Sequence, residues 1–418
     1  TWPEKAMKIH GVEPEIAGLE YDYRKMPLLS TQFRDNAVLQ AGQPVTIWGS
    51  AVHRWVHWGV DRKRAEGDAV VHFSFGDIKR TIPVTDDMLE WQVTLPPMPA
   101  GDKKYTLGVK FTIDGELIHE RKAENVVFGD VWYVAVPDGH WQTPVKKTDQ
   151  IVRMMDRQAK RDSANTPSRF SIAVSTTPEN RFASYWEPAK GFAAALGHAI
   201  AAKTNKPVGI VFMQTRSGKS ASDPTLIKHW IPVQDLKQAL SLMEDYKQLA
   251  SLRPGNEYYN ANAMRYIEAW KTYWSEYIPE LMATGKVPDG RGWGSYPKLA
   301  ADIDTNASQV YNVMVHSFTP IAVKGIVFIP GPATVQSDQG AHYGEQLSVL
   351  ANSWQTRFDS GKATFFYGQP TQSLAPKITK PTAIKGPSQA ITIDVWPSAK
   401  DGQAARQTII DTIVDKAY

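Results

Sequence analysis

The stretch Gly129–Trp141, GDVWYVAVPDGHW, decides the fold. From Val131 to Val136 every residue is apolar, the pattern of a strand buried on both faces. The run ends in Pro137-Asp138-Gly139-His140, a turn by composition. In an open α/β sheet the turn after such a strand is where a nucleophile is presented. This turn holds no serine, cysteine or threonine.

Further compact apolar runs follow at Ser171–Ser175, Val208–Met213, Gly325–Pro330 and Ala363–Tyr367. Helical patterns lie between and after them. Phe192, Ala195, Leu196, Ala199 and Ile200 make one face. Tyr343, Leu347, Leu350, Trp354 and Phe358 make a second, and Ile409, Ile410, Ile413 and Val414 a third. Apolar strands alternating with amphipathic helices predict an α/β domain whose parallel sheet is covered on both sides. Residues 233–318 interrupt the pattern with two longer helices, an insertion placed as a cap over the sheet's rim. Tyr266, Ile267, Trp270, Tyr273, Trp274, Tyr277, Ile278 and Leu281 fall on one helical face, which reads as core. The Gly- and Pro-rich stretch 285–297 ends the insertion.

Upstream, Ala37–Leu39, Val45–Trp48, Ala69–Phe75, Trp91–Leu95 and Tyr105–Ile113 are short apolar or alternating runs separated by turn residues. Their spacing predicts an antiparallel β-sandwich-like domain. The expected division is an extension over 1–26, the sandwich-like domain over 27–125 and the α/β domain over 126–418.

Bulk properties exclude several classes. Apolar residues are 42% and charged residues 22% of the 418, and no apolar run is long enough to span a membrane. The net charge of +4 is scattered, with tight clusters only at Arg62-Lys63-Arg64 and Lys146-Lys147, so nucleic acid is not an expected partner. The absence of cysteine excludes disulfides and thiolate chemistry. The first residue is Thr1, compatible with a removed export leader.

Several phrases together resemble the sialate O-acetylesterase-like branch of the SGNH hydrolases. Phe33–Gln40 and Pro44–Gly49 match its "F.D.MVLQ...PV.IWG", Trp91–Gly101 its "W.V.LPPM.AG", and Phe128–Trp132 its "FGDVW". Pro207-Val208-Gly209, Tyr311–Met314 with Pro320 and Lys324-Gly325, and the helix from Tyr343 to Phe358 continue the match in order. The resemblance implies a three-layer, flavodoxin-like SGNH domain carrying the helical insertion. It also implies a serine nucleophile, an oxyanion hole of glycine and asparagine donors, and a C-terminal Asp-x-x-His base. Carried over residue by residue, the nucleophile position is Asp138. The glycine donor is Gly218, in Arg216-Ser217-Gly218. The asparagine is Thr334, flanked by Pro330 and Pro332. The C-terminal motif falls near Asp394, and no histidine follows His342. With nucleophile, asparagine donor and base replaced, the resemblance implies a frame without the family's ester chemistry.

The residues expected at the carboxyl rim of the sheet are Asp138, His140, Trp141, Arg216, Gly218, Lys219, Thr334, Asp338 and His342. Three uses compete. Asp138, His140, Asp338 and His342 are types that serve acid–base or metal chemistry. Trp141 can stack on a sugar while Arg216 and Lys219 take anions. Proline-stiffened loops can also simply fill the crevice. Thr215–Ser220 echoes the end of a phosphate loop but lacks the glycine needed at Met213. His198 reads as a packed or solvent-facing helical residue. His53–Glu66, with Trp55 and Trp58, reads as an extra loop and a possible contact surface. The expectation is a structural or carbohydrate-binding protein outside the cytoplasm. It has no cofactor and no metal, and binds a partner chain, itself or a carbohydrate. A hydrolase of acetylated carbohydrate with a rearranged Asp/His or metal site is the alternative.

Overall fold

Gly129–Val136 lies in the second half of a 22-residue strand, β7 (Glu116–Pro137), which runs through the middle of the molecule. The computed structural model describes residues 28–51, 67–85, 88, 90–137, 141–159, 185–215, 225–285, 296–301, 303–359 and 363–418. Upstream of β7 these contain β1 (Val38–Gln40), β2 (Val45–Ser50), β3 (Ala69–Phe75), β4 (Ile78–Pro83), β5 (Glu90–Leu95) and β6 (Gly101–Ile113). Downstream come β8 (Val152–Ala159), β9 (Trp186–Pro188), β10 (Val208–Thr215), β11 (Gly325–Phe328), β12 (Thr364–Pro370) and β13 (Ser388–Ile393). The long helices are α1 (Gly191–Thr204), α2 (Met243–Ala250), α3 (Glu257–Thr272), α4 (Tyr343–Arg357) and α5 (Gln403–Ala417).

The second half of β7 is the centre of a sheet ordered β13-β12-β11-β7-β10-β8-β9. All neighbours pair in parallel except the edge strand β9. The alternation of β7 sorts its side chains between two cores. Val131, Tyr133 and Ala135 join Leu347, Leu350 and Trp354 of α4 on the front face. Trp132, Val134 and Val136 join Phe192 and Leu196 of α1 and Ile409 and Ile413 of α5 on the back.

The first half of β7 pairs antiparallel with β6, and β3 and β4 extend that ladder. The expected boundary at 125/126 therefore falls inside one continuous strand. β2 and β5 form a two-stranded antiparallel ribbon. It meets the larger ladder through Phe73 and Trp91, whose ring centroids are 5.9 Å apart.

The FGDVW phrase is a structural knot. A Cβ at Gly129 would lie 2.0 Å from the Pro207 carbonyl oxygen, so only glycine lets β7 pass the chain entering β10. The Val131 N–H donates to Gln40 Oε1 at 2.9 Å. Buried Asp130 accepts from the Tyr418 hydroxyl at 2.8 Å. Burial and that carboxylate push the Tyr418 phenol well above its usual range. A Cβ at Gly325 would strike the Trp132 ring, which sits against Phe366.

One sequence reading is extended and one corrected. Val152–Ala159, absent from the sequence reading, is a strand beside β10, and Ser171–Ser175 lies outside the described residues. The aromatic stripe of the insertion is not sheet core: α3 has no buried residue. Trp274 is 52% exposed and Ile267 47%, and only Tyr273 and Ile278 of the stripe are buried. Its rings pack on one another, Trp270 against Trp274 and Tyr273 against Tyr277. Periodicity placed them on one face, but it carries no information on whether another layer covers that face.

Candidate functional site

Chain direction locates the crevice. After β7 the chain turns to the back face, where Trp141 belongs to the α1 core. After β10 and β11 it passes to the front, where Trp230 and Trp354 lie. Neighbouring strand ends that feed opposite faces open a crevice at the carboxyl edge, where ligands of open α/β sheets bind. Pro137 ends β7 at that point.

Asp138, His140, Arg216, Gly218 and Lys219 lie outside the described residues. Trp141 is described: it is 5% exposed, edge-on to Phe192 with centroids 4.8 Å apart. Its face is spent on packing, so it offers no stacking platform. Its buried indole N–H has no hydrogen-bond partner.

Thr334, Asp338 and His342 come together on one cleft of about 310 Å³, which Trp141 does not line. Thr334 sits in a short helical turn (Pro332–Gln336), where Pro332 opens the helix without needing an N–H partner. The Thr334 hydroxyl oxygen accepts the Gly331 N–H at 3.0 Å. The side chain at the expected oxyanion position therefore serves to start that turn. Asp338 organises the loop before α4. One carboxylate oxygen accepts the Gly340 N–H at 2.8 Å. The other takes the His342 N–H and faces the ring Nδ1, each at 2.9 Å. The imidazole is half exposed.

Sequence reasoning missed the other wall. Lys228 pairs with Asp245 at 2.9 Å, and Thr305 donates to the same carboxylate. Ser241 donates to Glu345, on the first turn of α4, at 2.7 Å. No motif spacing links Lys228, Ser241 and Asp245, which reach the cleft from separate segments. The cleft's charges are thus balanced within the protein, Lys228 by Asp245 and Asp338 by the N–H groups it gathers.

His198 accepts the Thr148 N–H on Nδ1 at 3.2 Å. Burial, with Lys147 adding to it, lowers its affinity for a proton. Among the described residues no three His, Asp or Glu side chains converge as a metal site, and no helix is long and apolar enough to cross a membrane.

No family model matches the sequence, and no curated protein matches it. Among solved structures the chain is similar to XAC1771, a carbohydrate acetylesterase from Xanthomonas citri. The TM-score is 0.52 and the identity 17%, over 94% of this chain and 76% of that one. The chain therefore shares a mixed α/β, esterase-like fold with a carbohydrate acetylesterase.

Proposed function

We propose that this chain is a carbohydrate-binding relative of the SGNH acetylesterases, serving as a binding or scaffold protein outside the cytoplasm, without triad-dependent hydrolysis. The observation that carries this reading is the inventory of residue types at the strand ends. The turn after β7 is Pro137-Asp138-Gly139-His140, which has no hydroxyl or thiol. β12, β13 and α5 all follow His342, the last histidine, so no imidazole can come from the segment that supplies the family's base. An ester needs an activated nucleophile, and a hydroxyl without an adjacent base is a poor one. Similarity in fold to a carbohydrate acetylesterase makes an acetylated or deacetylated carbohydrate the natural ligand class for the rim.

The contact between Asp338 and His342 favours one other reading, a hydrolase in which this pair acts as base and orienting acid on water. The deciding experiment measures release of acetate from acetylated xylo-oligosaccharides and 4-nitrophenyl acetate. Binding of the same oligosaccharides is measured by calorimetry. Binding with a rate equal to buffer supports the proposal. Turnover that disappears in His342→Gln or Asp138→Asn overturns it in favour of the second reading.

A further inference from the structure

A second cleft, of about 370 Å³, opens at the other end of α4. α4 starts just past the carboxyl end of β11 and ends before β12 begins, so Arg357 lies at the amino edge of the sheet. Fifteen residues at about 1.5 Å each put the two clefts about 20 Å apart. The second cleft is lined by Arg253, Arg357, Tyr311, Asn312, His316 and Gln234, with Pro232 and Pro320 as apolar wall.

Its floor is a π-type turn, Tyr311–Val315, a local geometry common at functional sites. The turn is pinned to the centre of the fold: Tyr133 of β7 donates its hydroxyl to the Met314 carbonyl at 2.7 Å. Trp48 of β2 holds the adjoining Pro320 carbonyl at 2.9 Å. On this floor Asn312 is 7% exposed, and its amide nitrogen has no hydrogen-bond partner. A buried donor left unmade is costly. Asn312 lines the cleft, so a rotation of its amide would bring this donor to a ligand acceptor.

We propose that this cleft is a ligand site for a sugar that carries one carboxylate, a uronate. Arg357 is already paired with Asp235 at 2.7 Å, with side chains 24% and 13% exposed. Arg253 has no ion-pair partner among the described residues. One uncompensated guanidinium matches a monoanion rather than a doubly charged phosphate. The remaining polar groups, the Asn312 and Gln234 amides and the Tyr311 hydroxyl, are of the kind that bind sugar hydroxyls. Burial pushes the Tyr311 phenol up to about 12, with Asp235 adding and Arg357 opposing, so it is a donor at neutral pH. The volume is at the small end for ligand pockets and suits one or two sugar rings.

His316 is the built-in reporter. It is open to the cleft, yet the surrounding protein mass, with Arg357 adding, lowers its proton affinity. The Tyr311 ring lies 6.2 Å from it, and Asp235 stands behind Arg357. A bound carboxylate opposes Arg357 and moves the His316 ring resonances, identified by their loss in His316→Gln.

The test titrates the full chain with glucuronate, glucose and sulfate while following His316 by NMR. Glucuronate is expected to give a saturable shift. Glucose, which lacks the carboxylate, is expected to bind about tenfold more weakly, the loss of one charged contact. Arg253→Gln, at an exposed position, and Asn312→Leu are each expected to weaken glucuronate about fivefold, roughly one hydrogen bond. An unmoved His316 at tens of millimolar glucuronate overturns the proposal. So does glucose binding as tightly as glucuronate, and so does sulfate competing equally well, which would mean a simple anion site. The outcome is independent of hydrolysis at the rim. If Asn312→Leu does not fold, Arg253→Gln alone still decides.

Discussion

The two ends of α4 hold clefts of similar size and opposite economy. In the cleft at the first turn of α4 the described polar groups answer one another: Lys228 has Asp245, Ser241 has Glu345, and Asp338 has three donors. At the amino edge Asn312 retains an unmade hydrogen bond, and Arg253 has no ion-pair partner among the described residues. A satisfied polar cluster is a structural solution. Affinity for a ligand comes from groups the protein leaves over, because only they gain a partner on binding.

The largest test of this contrast is Trp141→Ala. As a packed core residue at the rim, Trp141 should cost about 3–5 kcal/mol when truncated, as buried aromatics do. Its loss should leave carbohydrate affinity of the residual folded protein unchanged. Trp141→Phe should cost far less, because it also removes a buried indole N–H that lacks a partner. Urea denaturation of the three proteins checks the order. A Trp141→Ala protein as stable as the parent would return Trp141 to the rim as a binding group.

Next in size is Asp235→Asn. It leaves Arg357 partly buried without its carboxylate, and about 2 kcal/mol of destabilisation is expected, below the cost for a fully buried pair. The same change makes the amino-edge cleft more positive, so glucuronate should bind several-fold tighter in the less stable protein. Stability from denaturation and affinity from the His316 titration must move in opposite directions. Parallel loss of both would mean that the cleft had collapsed.

Asn312→Leu tests the leftover donor itself. Replacing a buried unpaired amide by an apolar group of similar size is expected to raise stability by about 1 kcal/mol, while weakening the uronate. Stabilisation with loss of binding is the mark of a group kept for a ligand rather than for the fold. A destabilised Asn312→Leu would show that the amide has a structural partner in solution.

The same contrast explains what could be seen in the sequence. β7, β10 and the faces of α1, α4 and α5 were legible because a doubly covered strand must be apolar throughout and a covered helix must be striped. Gly129, Asp130 and Trp132 carried the resemblance because each is fixed by a specific neighbour: Pro207, Tyr418 and Phe366. β8 was missed because VRMMDRQA mixes charges into a strand that lies next to the edge. The aromatic stripe of α3 was legible as a face but not as an exposed one. Of the rim, Asp338 and His342 are legible because they follow Thr334 in the segment after β11. Lys228 and Asp245 were not, since only the folded path brings them there. The amino-edge cleft draws on residues 232 to 357 and lies where no strand-end rule directs attention. Its one sequence signal is the Tyr311-Asn312 phrase, which the resemblance ties to the fold alone.

The smallest expected effect is the most consequential for the rim. The Asp338–His342 contact looks like a catalytic dyad by distance alone. Its carboxylate, however, already accepts two backbone N–H groups, which is the work of a loop-forming aspartate. The ring is half exposed, so the pair is screened by water and worth little. His342→Gln should therefore shift stability by less than about 0.5 kcal/mol, as exposed substitutions usually do, and leave acetate release at the buffer rate. Asp338→Ala should be the more disruptive of the two, because it removes acceptors from Gly340 and His342 together. A loop-forming aspartate predicts that ordering in stability, with no ordering in rate. A catalytic pair predicts the reverse: rates that fall together in both variants while stability barely changes. Measuring both quantities on both variants separates a loop support from an active site, even at the same 2.9 Å.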